Sequence, residues 1–383
     1  MNAKFMLPKI KNFLYCGVFI LILKVYGSAS SILPFYNDNI DTVLAILGVG
    51  CLGLHCIMMQ YYNRKILLVY ILVSLLALYS TIRVGNYGIF ITAVTCLAIY
   101  GEDPKKVIEF IFKYECLFFV LHLIFAIIRI PFTGDFYSQI IDGVERLNMG
   151  FGHPNRFSVL VFNLLLMWIW LNFKNIKYIN ILIIFGISLI NYKLTRTRTN
   201  ETAILILLIV LLFYKHFPQK TSNVLRIVAM FITPVLSIIS MLAVILYTKG
   251  NNIVLVALDK ALSGRIRLGA YAYEHYGISF WGRTLLTEKI QYDETYQLNY
   301  FTFDNIYTDI SMRQGIIWLI LLIVLFYVLA KRKNDDINFA IIAWGIYGIT
   351  EVHGLNVYML FVVLLTCELF KKCSGIIENY NRK

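Results

Sequence analysis

The chain is poor in the residues that soluble enzymes use for chemistry. Only 15% of its 383 residues are charged, and it contains 22 acidic residues, six histidines and seven prolines. Because a soluble globular protein has about 25% charged residues, this composition excludes an ordinary water-soluble domain. The sequence also lacks a Walker or Rossmann fingerprint, so no nucleotide-binding site is expected.

The cysteines do not occur at positions where they would form disulfide bonds or bind a metal ion. The seven cysteines lie in apolar segments or in the final tail, and no two of them have metal-ligand spacing. This pattern predicts neither disulfide bonds nor a zinc site. We assign no metal ligands and no cofactor.

Apolar residues are abundant, at 59% of the chain, and the mean hydropathy is +0.70. Several runs extend for most of about 18 residues without a charge, which is the length that crosses a hydrocarbon core roughly 30 Å thick. We therefore predict an all-α, polytopic integral membrane protein with a single transmembrane domain, 1–383, embedded in the lipid bilayer. About twelve spans are expected, near 12–33, 41–60, 65–81, 86–101, 108–130, 156–173, 177–192, 202–214, 224–247, 314–330, 337–350 and 356–370.

The N-terminus has some features of a signal peptide. Lys4, Lys9 and Lys11 precede an apolar run that ends in small residues. Lys24 interrupts that run, however, and the span continues to Leu33. We favour an uncleaved first helix.

Lysine indicates the orientation of the spans. Sixteen of the 21 lysines fall in the tails and in alternate connections, which by the positive-inside rule are cytoplasmic. Both termini are then cytoplasmic in a cell (plasma) membrane protein. The net charge of +13 is explained by this topology, so nucleic acid is not expected as a partner.

Arginine follows the opposite pattern. Ten of the 14 arginines fall on the predicted outer side, where only four lysines lie. The guanidinium group is a planar fork of donors that matches phosphate oxygens in bidentate geometry. Some outer arginines are expected to be snorkelling anchors or partners of outer-loop acids, as at Arg129, Arg156 and Arg313, which lie at span ends. The others predict a phosphate site at the outer leaflet.

Two outer segments in the first half of the chain carry candidate residues. In 131–155, Arg146 precedes "GFGHPN", where glycines allow close backbone approach and His153 comes before a proline at a helix start. In 193–202, "KLTRTRTNET", Arg196 and Arg198 share a face if the backbone is extended.

Two further outer segments lie in the second half. The long extracytoplasmic loop 248–313 begins as an amphipathic helix, continues through Arg265 and Arg267, and is rich in aromatic residues suited to sugars or to the membrane interface. Its candidate sugar-binding residues are Tyr273, Trp281, Asp304 and Asn305. The turn 348–356 contains Glu351 and His353, which we interpret as a general-base pair or as a structural ion pair.

In their order along 146–356, the motifs "GFGHPN", "TRTRT", "LSGRIRLGAYAYEHYG", "DNIYTDISMRQG" and "GITEVHGLN" resemble those of Wzy-type polysaccharide polymerases, in the O-antigen polymerase and ligase superfamily. The resemblance implies a GT-C-like polymerase/ligase architecture. Such polymerases commonly have Ser-Arg-Thr in the outer hairpin. Here the serine position is Thr195 or Thr197, so the register of Arg196 against Arg198 stays open.

The resemblance implies a metal-independent glycosyltransferase that joins undecaprenyl-diphosphate-linked oligosaccharide repeat units outside the cell and releases undecaprenyl diphosphate. Partners would be that lipid-linked oligosaccharide and other polysaccharide-assembly proteins of capsule or exopolysaccharide synthesis. Since diphosphate is already a good leaving group, the site needs charge stabilisation more than a general acid. The predicted roles are diphosphate binding by Arg146, Arg196, Arg198, Arg265 and Arg267, and acceptor activation by Glu351 first, or by His153 or His353.

Three alternatives remain at this stage. A lipid-linked oligosaccharide flippase would also have about twelve spans, but would spread polar residues over both faces. An O-antigen-ligase-like glycan transferase would share the arginines. A polyprenyl-monophosphate sugar transferase would use acids in the first outer loop, where Asp38 and Asp41 are more simply explained as helix-capping, solvated acids.

Overall fold

A computed structural model describes residues 3–59, 64–100, 102–133, 137–141, 143–250, 252–285 and 289–373. The described residues form fourteen α-helices and two short β-hairpins. The helices are α1 (Ala3–Ala29), α2 (Asp38–Met58), α3 (Arg64–Val84), α4 (Gly88–Ile99), α5 (Pro104–Thr133), α6 (Pro154–Asn172), α7 (Tyr178–Thr195), α8 (Arg198–His216), α9 (Pro218–Thr248), α10 (Ile253–Ala261), α11 (Arg265–Tyr276), α12 (Ile306–Asp309), α13 (Ile316–Ala330) and α14 (Asp335–Gly348). The strands are β1 (Ser138–Ile141), β2 (Val144–Leu147), β3 (Lys289–Asp293) and β4 (Leu298–Tyr300).

Nine helical segments among the described residues are long and apolar enough to cross a membrane. They match nine of the twelve predicted spans, and an all-α, multi-pass membrane architecture is therefore confirmed. The other three segments are shorter as α-helix, because α4 has 12 residues, α14 has 14, and Phe361–Cys373 is a 3₁₀-helix. The count of twelve spans stays a prediction.

The chain divides into two compact units. The first comprises residues 1–74, 91–212 and 356–383, and the second comprises residues 75–90 and 213–355.

In the first unit, α1 and α2 pack closely because glycines face each other. A Cβ atom on Gly17 would lie 2.9 Å from the Gly48 carbonyl oxygen. At the far end of the hairpin, Lys24 forms an ion pair with Asp41 (Nζ to Oδ2, 3.0 Å), and the Tyr36 hydroxyl donates to Asp41 Oδ1 at 2.7 Å. Lys24, which interrupts the apolar run in the sequence, is therefore neutralised within the hairpin.

The antiparallel β1–β2 hairpin leads into α6 in the same unit. Pro154 is the first residue of α6, where its missing N–H is not needed. The helix is buried along most of its length, from Phe157 to Trp170.

In the second unit, α9 is 31 residues long and packs against α11, α13 and α14. Aromatic and aliphatic side chains from α11 and the following segment form a core cluster that includes Tyr271, Tyr296, Phe301 and Met312. The segment 248–313 is therefore folded, with α10, α11, β3, β4 and α12 in its described part. Helix α10 agrees with the amphipathic helix predicted near Val254.

Candidate functional site

Arg196 and Arg198 lie at the tip of the α7–α8 hairpin in the first unit. Arg196 ends α7 in the left-handed conformation (φ 54°) and Arg198 begins α8, so the turn is not the extended stretch considered from the sequence. Both side chains are exposed. Within the described ranges neither forms a hydrogen bond or an ion pair. Two unneutralised guanidinium groups beside a helix N-terminus favour an anion at this tip.

Two threonines of the same hairpin are buried against the rest of the unit. Thr195 and Thr197 are buried, and their hydroxyl oxygens lie 2.6 Å apart. Thr197 also donates to Ser158 on α6 at 2.9 Å. These hydroxyls hold the hairpin against α6.

In the segment 146–155, the glycine backbone packs closely against another part of the protein and not against a ligand. A Cβ atom on Gly150 (φ +80°) would lie 2.8 Å from the side chain of Ile32, and the Gly150 carbonyl accepts from the Ser31 backbone N–H at 2.8 Å. His153 is the N-cap of α6, with Nδ1 accepting from the Asn155 N–H at 3.2 Å. Arg146 lies half-buried on β2.

An apolar cavity of about 390 Å³ lies between α5, α6 and α7 in this unit. Its walls are almost entirely hydrophobic, with Asn180 as the polar exception. The lining residues are Phe112, Cys116, Phe119, Val161, Leu164, Leu165, Trp168, Asn180, Ile183, Ile184 and Ile187.

In the second unit, Arg265 binds backbone carbonyls. Its side chain is 7% exposed. Nη1 donates to the Leu262 carbonyl at 2.9 Å, Nη2 donates to that of Thr350 at 3.1 Å, and Nε lies within hydrogen-bonding distance of the carbonyls of Thr350 and Asp304. The guanidinium therefore ties the start of α11 to two segments that are distant in sequence.

Arg267 lies beside a capping carboxylate. Asp259 on α10 accepts from the backbone N–H groups of Ile266 and Arg267 at 2.9 and 3.0 Å, which caps α11 in place of Gly264. The other Asp259 oxygen lies 3.7 Å from Arg267 Nε. Since a carboxylate already occupies this helix N-terminus, α11 does not offer an open anion site there.

Glu351 is a buried carboxyl group next to Arg265 in the second unit. Its Oε1 has no hydrogen-bond partner among the described residues. Burial raises the pKa of Glu351 to about 8; Arg265 opposes this shift and Asp304 adds to it. A carboxyl group with this pKa is suited to general-base or general-acid work near neutral pH. His353 lies two residues on, half-buried at the start of a short 3₁₀-helix.

The four predicted sugar-binding residues are in different environments. Asn305 caps α12, accepting from the N–H groups of Tyr307 and Thr308, and its amide donates to Ser240 at 3.2 Å. Tyr273 packs at the edge of the core cluster, and Asp304 is half-buried. Trp281 is 45% exposed, with its ring edge-on to Tyr79 at 6.1 Å. Of the four, Trp281 presents an aromatic surface to its surroundings.

A π-helix, Ile310–Gly315, was not anticipated from the sequence. It contains Arg313, which forms an ion pair with the buried Asp309 (2.6 Å). The wider turn leaves carbonyls free, and those of Ser311 and Arg313 accept from the backbone N–H groups of Ser279 and Arg283. Gly315 (φ +111°) is required because a Cβ atom there would lie 2.8 Å from Gly282 N. The only sign of this contact in the sequence was the presence of glycine at positions 282 and 315.

Two buried carboxylates were also missed. Glu115 in α5 accepts from Asn163 at 3.0 Å, and Glu201 in α8 accepts from Ser188 at 3.2 Å. The signal was present, since each is an acidic residue in or beside an apolar run.

No group of three or more His, Cys, Asp or Glu side chains suited to a metal ion occurs in the part of the chain that the structure describes. Comparisons with protein-family models, with curated proteins and with solved structures found no match.

Proposed function

We propose that the chain is a membrane glycosyltransferase that polymerises undecaprenyl-diphosphate-linked oligosaccharide repeat units. The growing glycan is transferred from its lipid diphosphate to a hydroxyl of a second lipid-linked unit. The anomeric carbon–oxygen bond to the diphosphate breaks, a glycosidic bond forms, and the hydroxyl proton is removed. The observation that carries this proposal is the pair of exposed, unpaired arginines at the α7–α8 tip.

Arg196 and Arg198 bind the diphosphate in this mechanism. Their full charge is available, because no carboxylate neutralises them within the described residues. Charge that develops on the departing diphosphate is stabilised by donors already in place, typically by about 3–4 kcal/mol for one such donor. Arg146 is assigned to the same role from the sequence.

Glu351 is the proposed base. Its pKa of about 8 leaves about a tenth of Glu351 ionised at pH 7, and that fraction has a basicity well above that of an ordinary carboxylate. Arg265 positions Glu351 through the Thr350 carbonyl that it binds. Arg267 keeps 36% side-chain exposure beside Asp259, and its role in diphosphate binding is assigned from the sequence.

The apolar cavity between α5, α6 and α7 is assigned to part of the polyprenyl chain. Ile187 in its wall is nine residues from Arg196 along α7, or about 13 Å at the α-helical rise. A headgroup at the hairpin tip and a chain lying along α7 are therefore compatible in length.

The test is a polymerisation assay with purified protein and synthetic lipid-linked repeats. Wild type is expected to give a ladder of products. Arg196→Lys and Arg198→Lys keep the charge but lose the bidentate fork, and each should lower the rate by about tenfold or more. Glu351→Gln should abolish extension.

Arg64→Lys is the matched control, since Arg64 is an exposed arginine of the same unit at the start of α3. It should extend the ladder at the wild-type rate. Wild-type rates in all three test variants would contradict the assignment. A single product without a ladder would point to the ligase-like alternative.

A flippase is the second candidate, and the buried carboxylates Glu115 and Glu201 inside spanning helices favour it. Liposomes with lipid-linked repeats on both leaflets separate the two functions. Lengthened repeats support the polymerase, whereas movement of repeats between leaflets without lengthening supports the flippase.

The proposal places the protein in the plasma membrane with both termini cytoplasmic and the α7–α8 tip outside. A C-terminal fusion to green fluorescent protein should therefore fluoresce, because that reporter matures only in the cytoplasm. A dark fusion whose protein is inserted and full-length would reverse the orientation.

A further inference from the structure

A polar stripe runs between α6, α7 and α8 in the first unit, within spanning segments. On α7, Ser188, Asn191 and Thr195 are buried on one face at helical spacing. On α8, Glu201 follows Thr197 by one turn, and α6 contributes Ser158. Polar side chains in this setting must be satisfied by one another or by something bound.

The hydrogen bonds within the stripe account for only part of its polar atoms. Asn191 Nδ2 donates to Ser158 Oγ at 2.8 Å, and Ser188 Oγ donates to Glu201 Oε1 at 3.2 Å. Asn191 Oδ1 and Glu201 Oε2 are buried and have no hydrogen-bond partner within the described residues. The nitrogen and the oxygen of the Asn200 side-chain amide are also buried and have no hydrogen-bond partner within the described residues.

The register of α7 and α8 brings the residues of the two unpartnered oxygens to the same level. Thr195 meets Thr197, and Ser188 meets Glu201, which sets the antiparallel register of α7 and α8. Asn191 lies on α7 between Thr195 and Ser188, so it is level with Glu201 on α8. Asn191 Oδ1 and Glu201 Oε2 are therefore available to one small ligand.

We propose that a sodium ion binds between α7 and α8, coordinated by Asn191 Oδ1 and Glu201 Oε2 with the hydroxyl oxygen of Ser188. All three are hard oxygen donors, the type that alkali and alkaline-earth cations take. One carboxylate is neutralised by one monovalent charge, whereas a divalent ion would leave a net positive charge buried in the membrane. The competing state is a proton on Glu201 Oε2 that donates to Asn191 Oδ1, and the dependence on Na⁺ measured below separates the two states.

The ion fixes the hairpin that carries Arg196 and Arg198. Thr195 and Thr197, which connect the stripe to the tip, flank Arg196 directly. Sodium binding and the proposed transferase function are independent, because the site is assigned from unsatisfied oxygens and not from substrate chemistry.

The experiment uses the purified full-length protein in nanodiscs. Thermal unfolding is measured while NaCl replaces choline chloride at constant ionic strength, and KCl is titrated in parallel. We expect the unfolding temperature to rise with Na⁺ and to saturate, and the K⁺ series to need a higher concentration for the same rise. In Glu201→Gln the half-saturating Na⁺ concentration should rise by about tenfold or more, because a charged ligand is lost.

Glu115→Gln is the matched control, since it also removes one buried carboxylate from a spanning helix of the same unit. It should keep the wild-type Na⁺ response. Equilibrium binding of radioactive ²²Na⁺ provides a second readout that does not depend on stability, and it should saturate near one ion per chain and fall in Asn191→Leu. Equal responses to Na⁺, K⁺ and choline, or an unchanged Na⁺ response in Glu201→Gln, would overturn the proposal in favour of water or a proton.

Discussion

Replacing Glu351 with glutamine should make the protein more stable at neutral pH. The carboxyl group is buried, and its pKa is raised to about 8 from an ordinary value of 4.5. Between these two values the unfolded chain releases the Glu351 proton more readily than the folded chain does. The folded state is therefore destabilised progressively as the pH rises from 4.5 to about 8.

The magnitude follows from the size of the shift. Each pKa unit corresponds to about 1.4 kcal/mol, so the destabilisation is about 3 kcal/mol at pH 7 and about 5 kcal/mol above pH 8. Glutamine has the same shape without the charge and avoids this penalty. Arg265 does not cancel it in wild type, because its donors are already bound to carbonyls of Leu262, Thr350 and Asp304.

The assay is thermal unfolding of wild type and Glu351→Gln across pH 5 to 9. The unfolding temperatures should agree near pH 5, and the variant should be higher by several degrees at pH 8. Glu294→Gln is the control, since Glu294 is an exposed carboxylate of the same unit and should follow wild type at every pH. Asp304 raises the pKa of Glu351, so Asp304→Asn should lower it in the folded state. The destabilisation caused by Glu351 should then stop growing at a lower pH and be smaller than in wild type.

The result that refutes this reasoning is a wild-type protein as stable as Glu351→Gln throughout the pH range. Glu351 would then be ionised and compensated in the folded state. It would have an ordinary carboxylate pKa, and its role as the base would lose its physical support.

Three further predictions concern single contacts. Asp259→Ala removes the carboxylate that caps α11 and should lower the free energy of unfolding by about 1–2 kcal/mol, measured by chemical denaturation against Glu294→Ala at an exposed position. Gly315→Ala places a Cβ atom 2.8 Å from Gly282 N at a φ of +111° and should destabilise the protein by about 1–3 kcal/mol, whereas Gly53→Ala, which meets open space, should not. His153→Asn keeps an N-cap acceptor for α6 and should retain wild-type stability, whereas His153→Ala should lose about 1 kcal/mol. Loss of polymerisation in the stable asparagine variant would indicate a catalytic role for His153 beyond capping.

The membrane class could be predicted from the sequence because it depends on local composition. A run such as α13 needs no knowledge of the rest of the chain to be recognised as a span, and its boundaries agree closely with those predicted. The amphipathic pattern of α10 is also local, and its exposed apolar residues, including Ile253 and Val254, were visible in the sequence.

The environments of the candidate residues could not be predicted, because they depend on distant partners. Arg265 meets the carbonyl of Thr350, 85 residues away, and no spacing in the sequence indicates that contact. The π-helix at Ile310–Gly315 is equally non-local, since its free carbonyls are satisfied by Ser279 and Arg283. His153 caps α6 because its ring nitrogen accepts from the backbone N–H of Asn155. A sequence motif does not show where that N–H points.

Two physical causes can account for an excess of arginine over lysine on the predicted outer side, and they require different tests. A guanidinium group can bind several carbonyls at once, as Arg265 does, and lysine cannot reproduce that geometry with a single ammonium group. Loss of activity in Arg265→Lys would consequently fit a structural role as well as a phosphate-binding one. Arg196 and Arg198 have no such partners within the described ranges, so lysine there changes only what the tip offers to a ligand. A loss of polymerisation at unchanged thermal stability in Arg196→Lys is for this reason the result that would distinguish an anion site from a structural arginine.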